Sequence, residues 1–110
     1  MFEIRNYYYE PTKMAEYREW ASSLAVPYIR EAVDLVGFWI TNDEPTKISG
    51  APMDELGTAT VTWIIRWDDL ASRDAGMTAA FSSDEWKAIF EKNPGLEYYH
   101  RMEVKFADAI

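Results

Sequence analysis

Thr58-Ala59-Thr60-Val61-Thr62-Trp63-Ile64-Ile65-Arg66-Trp67 (TATVTWIIRW) is the segment that sets the architecture. Its almost unbroken run of β-branched and aromatic residues predicts a strand. The two-residue period places Val61, Trp63, Ile65 and Trp67 on one face and Thr60, Thr62, Ile64 and Arg66 on the other. Upstream, Asn42 to Gly57 (NDEPTKISGAPMDELG) holds two Pro, two Gly and five charges, and reads as a long connection. Connections of more than about 12 residues are often lids or binding loops, and a short helical turn is expected over Pro52 to Leu56. Asp34 to Asn42 (DLVGFWITN) is a second strand, with Phe38 and Ile40 facing away from Trp39 and Thr41. Gly37 in its middle signals a bulge or a close approach. Further back, Met14, Tyr17, Ala21, Leu24, Tyr28 and Ala32 repeat every three or four residues and predict a helix from Lys13 to Ala32. Thr12 stands in its N-cap position, and Pro27 should kink or divide the helix because it deletes the bond to Ser23. Phe2 to Tyr9 (FEIRNYYY) is the first strand, with Glu3, Arg5, Tyr7 and Tyr9 on one face and Phe2, Ile4, Asn6 and Tyr8 on the other.

Downstream, Asp68 caps a helix from Asp69 to about Phe81, and Ser82 with Glu85 has capping-box spacing for a second segment carrying Trp86, Ile89 and Phe90. Asn93-Pro94-Gly95 ends that segment. Tyr98 to Phe106 is the last strand, with Tyr98, His100, Met102, Val104 and Phe106 on one face. The order βαββαβ predicts a ferredoxin-like α+β fold: a four-stranded antiparallel sheet with helices on one face. The 110 residues form a single domain, 1–110. Neither sheet face is convincingly polar. A homodimer closing sheet face against sheet face as a dimeric α+β barrel is therefore expected.

Composition narrows the function. The net charge is −8, from 11 basic and 19 acidic residues, which disfavours nucleic acid and anionic membranes as partners. The chain has no Cys and one His, so thiol chemistry and a His-rich zinc site are excluded and no metal is expected. No apolar run reaches the roughly 20 residues of a membrane span, and the N-terminus lacks a signal-peptide pattern. A soluble, cytoplasmic protein is the expectation.

A few side chains carry the candidate chemistry. Arg5 shares a strand face with Glu3 and Tyr7. It reads either as a clamp for a substrate carboxylate or carbonyl, or as an ion-pair partner of Glu3 or Glu103. His100 is the one side chain with an ordinary pKa near neutrality, so it is the candidate general acid or base. Trp39, Trp63, Trp67 and Tyr7 offer an aromatic lining for a flat apolar ligand, or core packing. Arg66 is a second candidate clamp or a solvated strand end.

Several segments together resemble NIPSNAP-type proteins. Phe2-Glu3-Ile4-Arg5-Asn6-Tyr7 is similar to their opening Y-E-L-R-x-Y, and Pro11-Thr12-Lys13 to their Pro-Gly-Lys. Val36-Gly37-Phe38-Trp39 resembles V-G-F-W/Y. Trp63-Ile64-Ile65-Arg66-Trp67-Asp68 with Arg73 resembles H-L-W-x-Y-x-S…R, and Ser83-Asp84-Glu85-Trp86 resembles D-x-E-W. The resemblance spans roughly residues 2 to 92. It implies a dimeric α+β barrel, within a wider group that includes cofactor-free monooxygenases, isomerases, dehydratases and haem-handling proteins. Trp63 stands where the family has His. Haem-degrading relatives pair an Asn and a Trp with a His on the following helix. Asn6 and Trp67 are available here, but Asp69 to Lys92 contains no His, and no cofactor is expected.

Two functions remain open at this point. One is small-molecule binding, extending to cofactor-free proton transfer on an apolar cyclic or carbonyl substrate, of isomerase, dehydratase or monooxygenase type. In that case Arg5 and Tyr7 orient and polarise the substrate, His100 moves the proton, and Trp39, Trp63, Arg66 and Trp67 bind. The other is a non-catalytic dimeric binding or assembly module. Whether the protein is an enzyme is not decided by its residues.

Overall fold

A computed structural model describes residues 1–51 and 54–110. Strands β1 (Phe2–Tyr9), β2 (Leu35–Ile40), β3 (Val61–Arg66) and β4 (Tyr99–Ala107) form one sheet in the order β2-β3-β1-β4. Every neighbouring pair is antiparallel, which is the ferredoxin-like arrangement expected of βαββαβ. The helices are α1 (Met14–Trp20), α2 (Val26–Ala32), α3 (Leu70–Phe81) and α4 (Asp84–Phe90). Among the described residues, no helix is long and apolar enough to cross a membrane.

The sheet face beneath the helices carries Glu3, Arg5, Tyr7 and Tyr9 of β1 and Val61, Trp63 and Ile65 of β3. Glu3 lies opposite Ile65 and Phe106, Arg5 opposite Trp63 and Val104, and Tyr7 opposite Val61 and Met102. Tyr7, Tyr9, Val61, Trp63 and Ile65 join Tyr17, Trp20, Ala21, Ala25 and Ile29 in one buried core. β4 is an edge strand, and the helices do not reach its end of this face, so Met102, Val104 and Phe106 are exposed.

Pro27 divides the long helix as its chemistry requires. Between α1 and α2, residues Ala21–Ala25 form a π-turn in which the Val26 N–H reaches back to the Ala21 carbonyl. This wider turn accommodates the missing N–H of Pro27. The Ser22 and Ser23 hydroxyls donate to the Glu19 carbonyl at 3.3 and 2.6 Å. The small residues Ala21 and Ala25 are left facing the sheet, both buried.

Three caps fall one or two residues from their expected places. Asp69, not Asp68, caps α3 by accepting from the Ser72 N–H at 2.7 Å. Ser83, not Ser82, caps α4 by accepting from the Trp86 N–H at 3.0 Å, because Ser83 has the extended backbone while Ser82 closes α3. At the first helix, the Glu10 carboxylate accepts from both the Thr12 N–H and the Thr12 hydroxyl at 2.8 Å, ahead of a 3-10 turn over Pro11–Lys13. These bonds, led by the Thr12 N–H, hold the Glu10 pKa down at about 2.

The start of β4 also departs from the expected alternation. Leu96–Tyr98 forms a 3-10 turn, and the β1–β4 register shifts between Tyr8 and Tyr9. Tyr99 thereby packs inward with Tyr7, Tyr9 and Tyr17, while His100 does not share the inward face of Met102.

Among the described residues, no helix lies on the opposite sheet face. Of the long connection, Thr46, Ile48, Leu56 and Gly57 gather around Tyr8 at one end of it, and Asp54 pairs with Arg101. Residues 54–57 make a tight turn in which Gly57 takes a φ of +79°. Pro52 and Met53, where a helical turn was expected to begin, lie outside the described residues. Elsewhere on this face, Val36 and Trp39 are exposed, and the Trp39 ring lies across Gly37, where a bulge interrupts the β2–β3 register. The molecule is a slab of 37 × 37 × 20 Å with a radius of gyration of 14.7 Å. A closed globule of this length would have about 13 Å, so the flattening reflects a sheet covered on one side.

Candidate functional site

Glu3 is the organising charge of the covered face. Its side chain is fully buried, at 0% exposure. Arg73 of α3 grips it with both prongs, Nε to Oε1 at 2.8 Å and Nη2 to Oε2 at 3.2 Å. Arg5 Nη1 donates to Oε2, and Trp67 Nε1 donates to Oε1 at 3.1 Å. Burial alone would raise the Glu3 pKa, but the bonds and charges of Arg73 and Arg5 together outweigh it, and the carboxyl sits below its usual range. Arg73 is correspondingly raised by its bonds to Glu3. A carboxylate held this way stays ionised and makes a poor base.

Arg5 is also bound to its neighbours. Its Nε donates to the Tyr7 hydroxyl at 2.7 Å, and its guanidinium lies 5.1 Å from the Trp63 ring centre and 5.6 Å from that of Tyr7. Of the two readings of Arg5, the ion pair with Glu3 is present, and the contact to Tyr7 links that pair to a cavity.

The cavity has a volume of about 100 Å3 and opens towards Leu96 and Met102, both exposed. Tyr7 and Trp63 form its sheet wall, Tyr17, Trp20, Ala25 and Ile29 its first helical wall, and Trp86 and Phe90 the α4 side. The space exists because large rings meet edge-on and tilted, as Tyr7 meets Trp63 with centres 6.3 Å apart, opposite an alanine from the π-turn. The polar atoms of the wall are few. Trp20 Nε1 donates to the Ile89 carbonyl at 2.8 Å. The Tyr99 oxygen accepts from Asn93 Nδ2 at 2.8 Å. Trp63 Nε1 is buried and has no acceptor among the described residues. Burial pushes the Tyr17 hydroxyl pKa up, and that of Tyr99 up to about 12, so both remain neutral O–H groups.

The candidate residues do not form one site. Tyr7 and Trp63 line the cavity, and Arg5 packs against both without lining it. Trp67 is on the covered face but serves Glu3, its ring packed on Gly76 of α3. His100, Trp39 and Arg66 lie elsewhere. His100 Nε2 is 3.1 Å from Glu10 Oε1 at the head of β4. Trp39 is half-exposed on the uncovered face. Arg66 sits at the strand end, 3.8 Å from Asp34 and over the Phe2 ring. Arg73, Tyr17 and Tyr99 enter the site without having been singled out as functional. A signal for Arg73 existed: a Glu at a core-facing strand position demands a cation, and Arg73 lies one turn into the helix that follows β3. Among the described residues, no group of three or more His, Asp or Glu is placed to hold a metal ion.

Comparison with known proteins agrees with the fold. An uncharacterized NIPSNAP domain protein from Burkholderia xenovorans superposes with a TM-score of 0.74 at 21% identity, over 99% of this chain and 93% of that one. A NIPSNAP family protein from Agrobacterium tumefaciens superposes at 0.70 with 16% identity, over 94% of this chain and 80% of that one. An ethyl tert-butyl ether d (ethd) family protein from Bacillus halodurans superposes at 0.56 with 19% identity, over 100% and 99% of the two chains. At these identities the likeness concerns the fold. No curated protein matches the sequence. The NIPSNAP family model matches residues 2–109, nearly the whole chain, and the chain belongs to the NIPSNAP family.

Proposed function

We propose that this NIPSNAP-family chain acts as a homodimer, joined through its uncovered sheet face, and that each protomer binds one small apolar molecule in its aromatic cavity. The observation carrying the binding reading is the cavity itself: a space walled by aromatic rings and open at one end. The dimer reading draws on the flattened shape and on Val36 and Trp39, exposed beside Ile4 and Ile64 on a face without helices. In its catalytic form, the same site polarises a substrate oxygen through Tyr7, with the Arg5 guanidinium behind it. Such a step belongs to cofactor-free isomerisation, dehydration or oxygenation. His100 is bound to Glu10 away from this group, so polarisation is better supported than a relay through His100.

The rival reading, a non-catalytic assembly module, draws on the small volume, since ligand pockets usually span about 300–1,000 Å3. Ala25→Leu separates the two by filling the cavity with an isobutyl group. On the binding reading, small cyclic ligands raise the melting temperature of the natural protein and leave that of Ala25→Leu unmoved. If no member of a chemically broad panel shifts the natural protein, the module reading stands. Sedimentation returning 12.8 kDa at micromolar concentration refutes the dimer, and Trp39→Asp is expected to dissociate it.

A further inference from the structure

We infer that the ligand of this cavity is an unbranched alkyl chain with a neutral head group, its methyl end among the aromatic rings and the rest of the chain laid along β4. The inference rests on the binding reading above and names its ligand class. The cavity by itself is too small for a whole ligand. An enclosed cavity of about 150 Å3 holds benzene, whereas this one has about 100 Å3 and opens towards Leu96 and Met102, so it takes one end and the remainder emerges. Its wall is almost wholly apolar and carries no charged side chain. The oxygens of Tyr7 and Tyr99 accept from Arg5 and Asn93, and the Trp20 N–H donates to the Ile89 carbonyl. The end that enters is therefore hydrocarbon, since a polar end would lose its water for little in return.

Where the ligand emerges, the surface stays apolar. Met102 at the mouth is followed on the same face by Val104 and Phe106, which lie opposite Arg5 and Glu3 of β1. Met102, Val104 and Phe106 are 55%, 40% and 45% exposed, because the helices stop short of this edge strand. The stripe is one strand wide, about 4.8 Å, and runs for about 14 Å from Met102 to Phe106. That shape fits an extended chain and not a ring lying flat. At about 1.5 Å per bond and tetrahedral angles, about eleven carbons cover the length. On the alternate positions of β4, Glu103 and Lys105 are exposed, and such charges keep an edge strand from pairing with another chain. A protein segment is thereby disfavoured as the occupant. At the far end Arg73 lies over the Phe106 ring, 5.4 Å from its centre, with Glu3 and Asp74 as its partners. The two arginines beside the stripe, Arg5 and Arg73, are balanced by those two carboxylates and call for no anionic head group.

Straight-chain alcohols from butan-1-ol to dodecan-1-ol test this on the full chain, with binding followed by NMR at the Met102 methyl resonance. Affinity should rise about fourfold per methylene inside the cavity and about twofold per methylene along the half-exposed stripe. Val104→Asp should flatten the rise for every alcohol that outreaches Met102. Phe106→Asp should flatten it only for alcohols about five carbons longer, since two residues of strand span about 7 Å. Either variant carries the test if the other fails to fold. A plateau at the shortest alcohols in the natural protein, or a rise that Val104→Asp leaves unchanged, overturns the chain assignment while the binding reading stands. A fall in the sedimentation mass of the ligand-free protein on Val104→Asp gives the stripe to a second copy and overturns it as well. Tighter binding of decanoate than of decan-1-ol overturns the neutral head group. If no alcohol binds, the chain assignment falls, and the binding reading falls with it only if the cyclic ligands also fail.

Discussion

Replacing Glu3 by Gln removes a charge from the most buried ionic group of the sheet while keeping its shape. The carboxylate accepts from Arg5, twice from Arg73 and once from Trp67. An amide has one acceptor oxygen and turns an NH2 towards a guanidinium, so at least one arginine bond is lost and two cations lose the anion between them. Breaking a buried ion pair from one side costs about 3–5 kcal/mol. The lower end applies here, because the Arg5 and Arg73 side chains keep 15% and 24% of their exposure and can recover some water. A loss of about 3 kcal/mol lowers the melting temperature by about 12 °C in a domain of this size, at about 4 °C per kcal/mol. Acid then supplies a check of sign. The folded-state pKa of Glu3 lies below its ordinary 4.5, so its contribution is complete above pH 4.5 and fades as the pH falls through the folded value. Urea unfolding followed by circular dichroism from pH 7 down to pH 3 should show a constant gap between natural protein and Glu3→Gln above about pH 5, narrowing below 4.5. Equal stability at pH 7, or a gap that does not narrow in acid, refutes the account of Glu3 as an ionised structural anchor.

Two glycine substitutions should separate by environment. Gly76→Ala in α3 would ordinarily stabilise a helix by about 0.5–1 kcal/mol, but its methyl overlaps the Trp67 ring, which Glu3 holds in place. Overpacking of about 1–3 kcal/mol outweighs that gain, and the urea midpoint should fall. Gly37→Ala overlaps the Trp39 ring instead. That ring is 51% exposed and can swing into solvent, so the midpoint should change by less than about 1 kcal/mol. Ser83→Ala removes the cap of α4 and should lower stability by about 1 kcal/mol, read by thermal unfolding.

The strand and helix order was legible because each segment states its period locally. The runs around Phe2, Phe38 and Trp63 alternate, Met14 to Ala32 repeats at helical spacing, and Pro27 forecasts the break between α1 and α2 from its missing N–H alone. The caps slipped because Asp68-Asp69 and Ser82-Ser83 each offer two adjacent candidates, and only the backbone angles choose between them. The candidate site was legible in part. Arg5, Tyr7 and Trp63 lie on facing positions of neighbouring strands, so a correct pairing brings them together. His100 did not follow, because a register shift at Tyr8 and Tyr9 breaks the alternation at the head of β4, and no residue there announces it.

Alternation along β1 and β3 determined which side chains travel together, since that depends on the backbone pleat alone. Which of the two sets the helices would cover was decided only in three dimensions, and the sequence obscured it by placing Glu3 and Arg5 on the set that becomes buried. A charge in a core-facing position looks like an error until its partner is known, and Arg73 arrives from 70 residues away. The cavity belongs to the same category. It is the gap left where rings from β1, β3, α1 and α4 fail to fill the space opposite Ala25, and a gap has no residue of its own to be read.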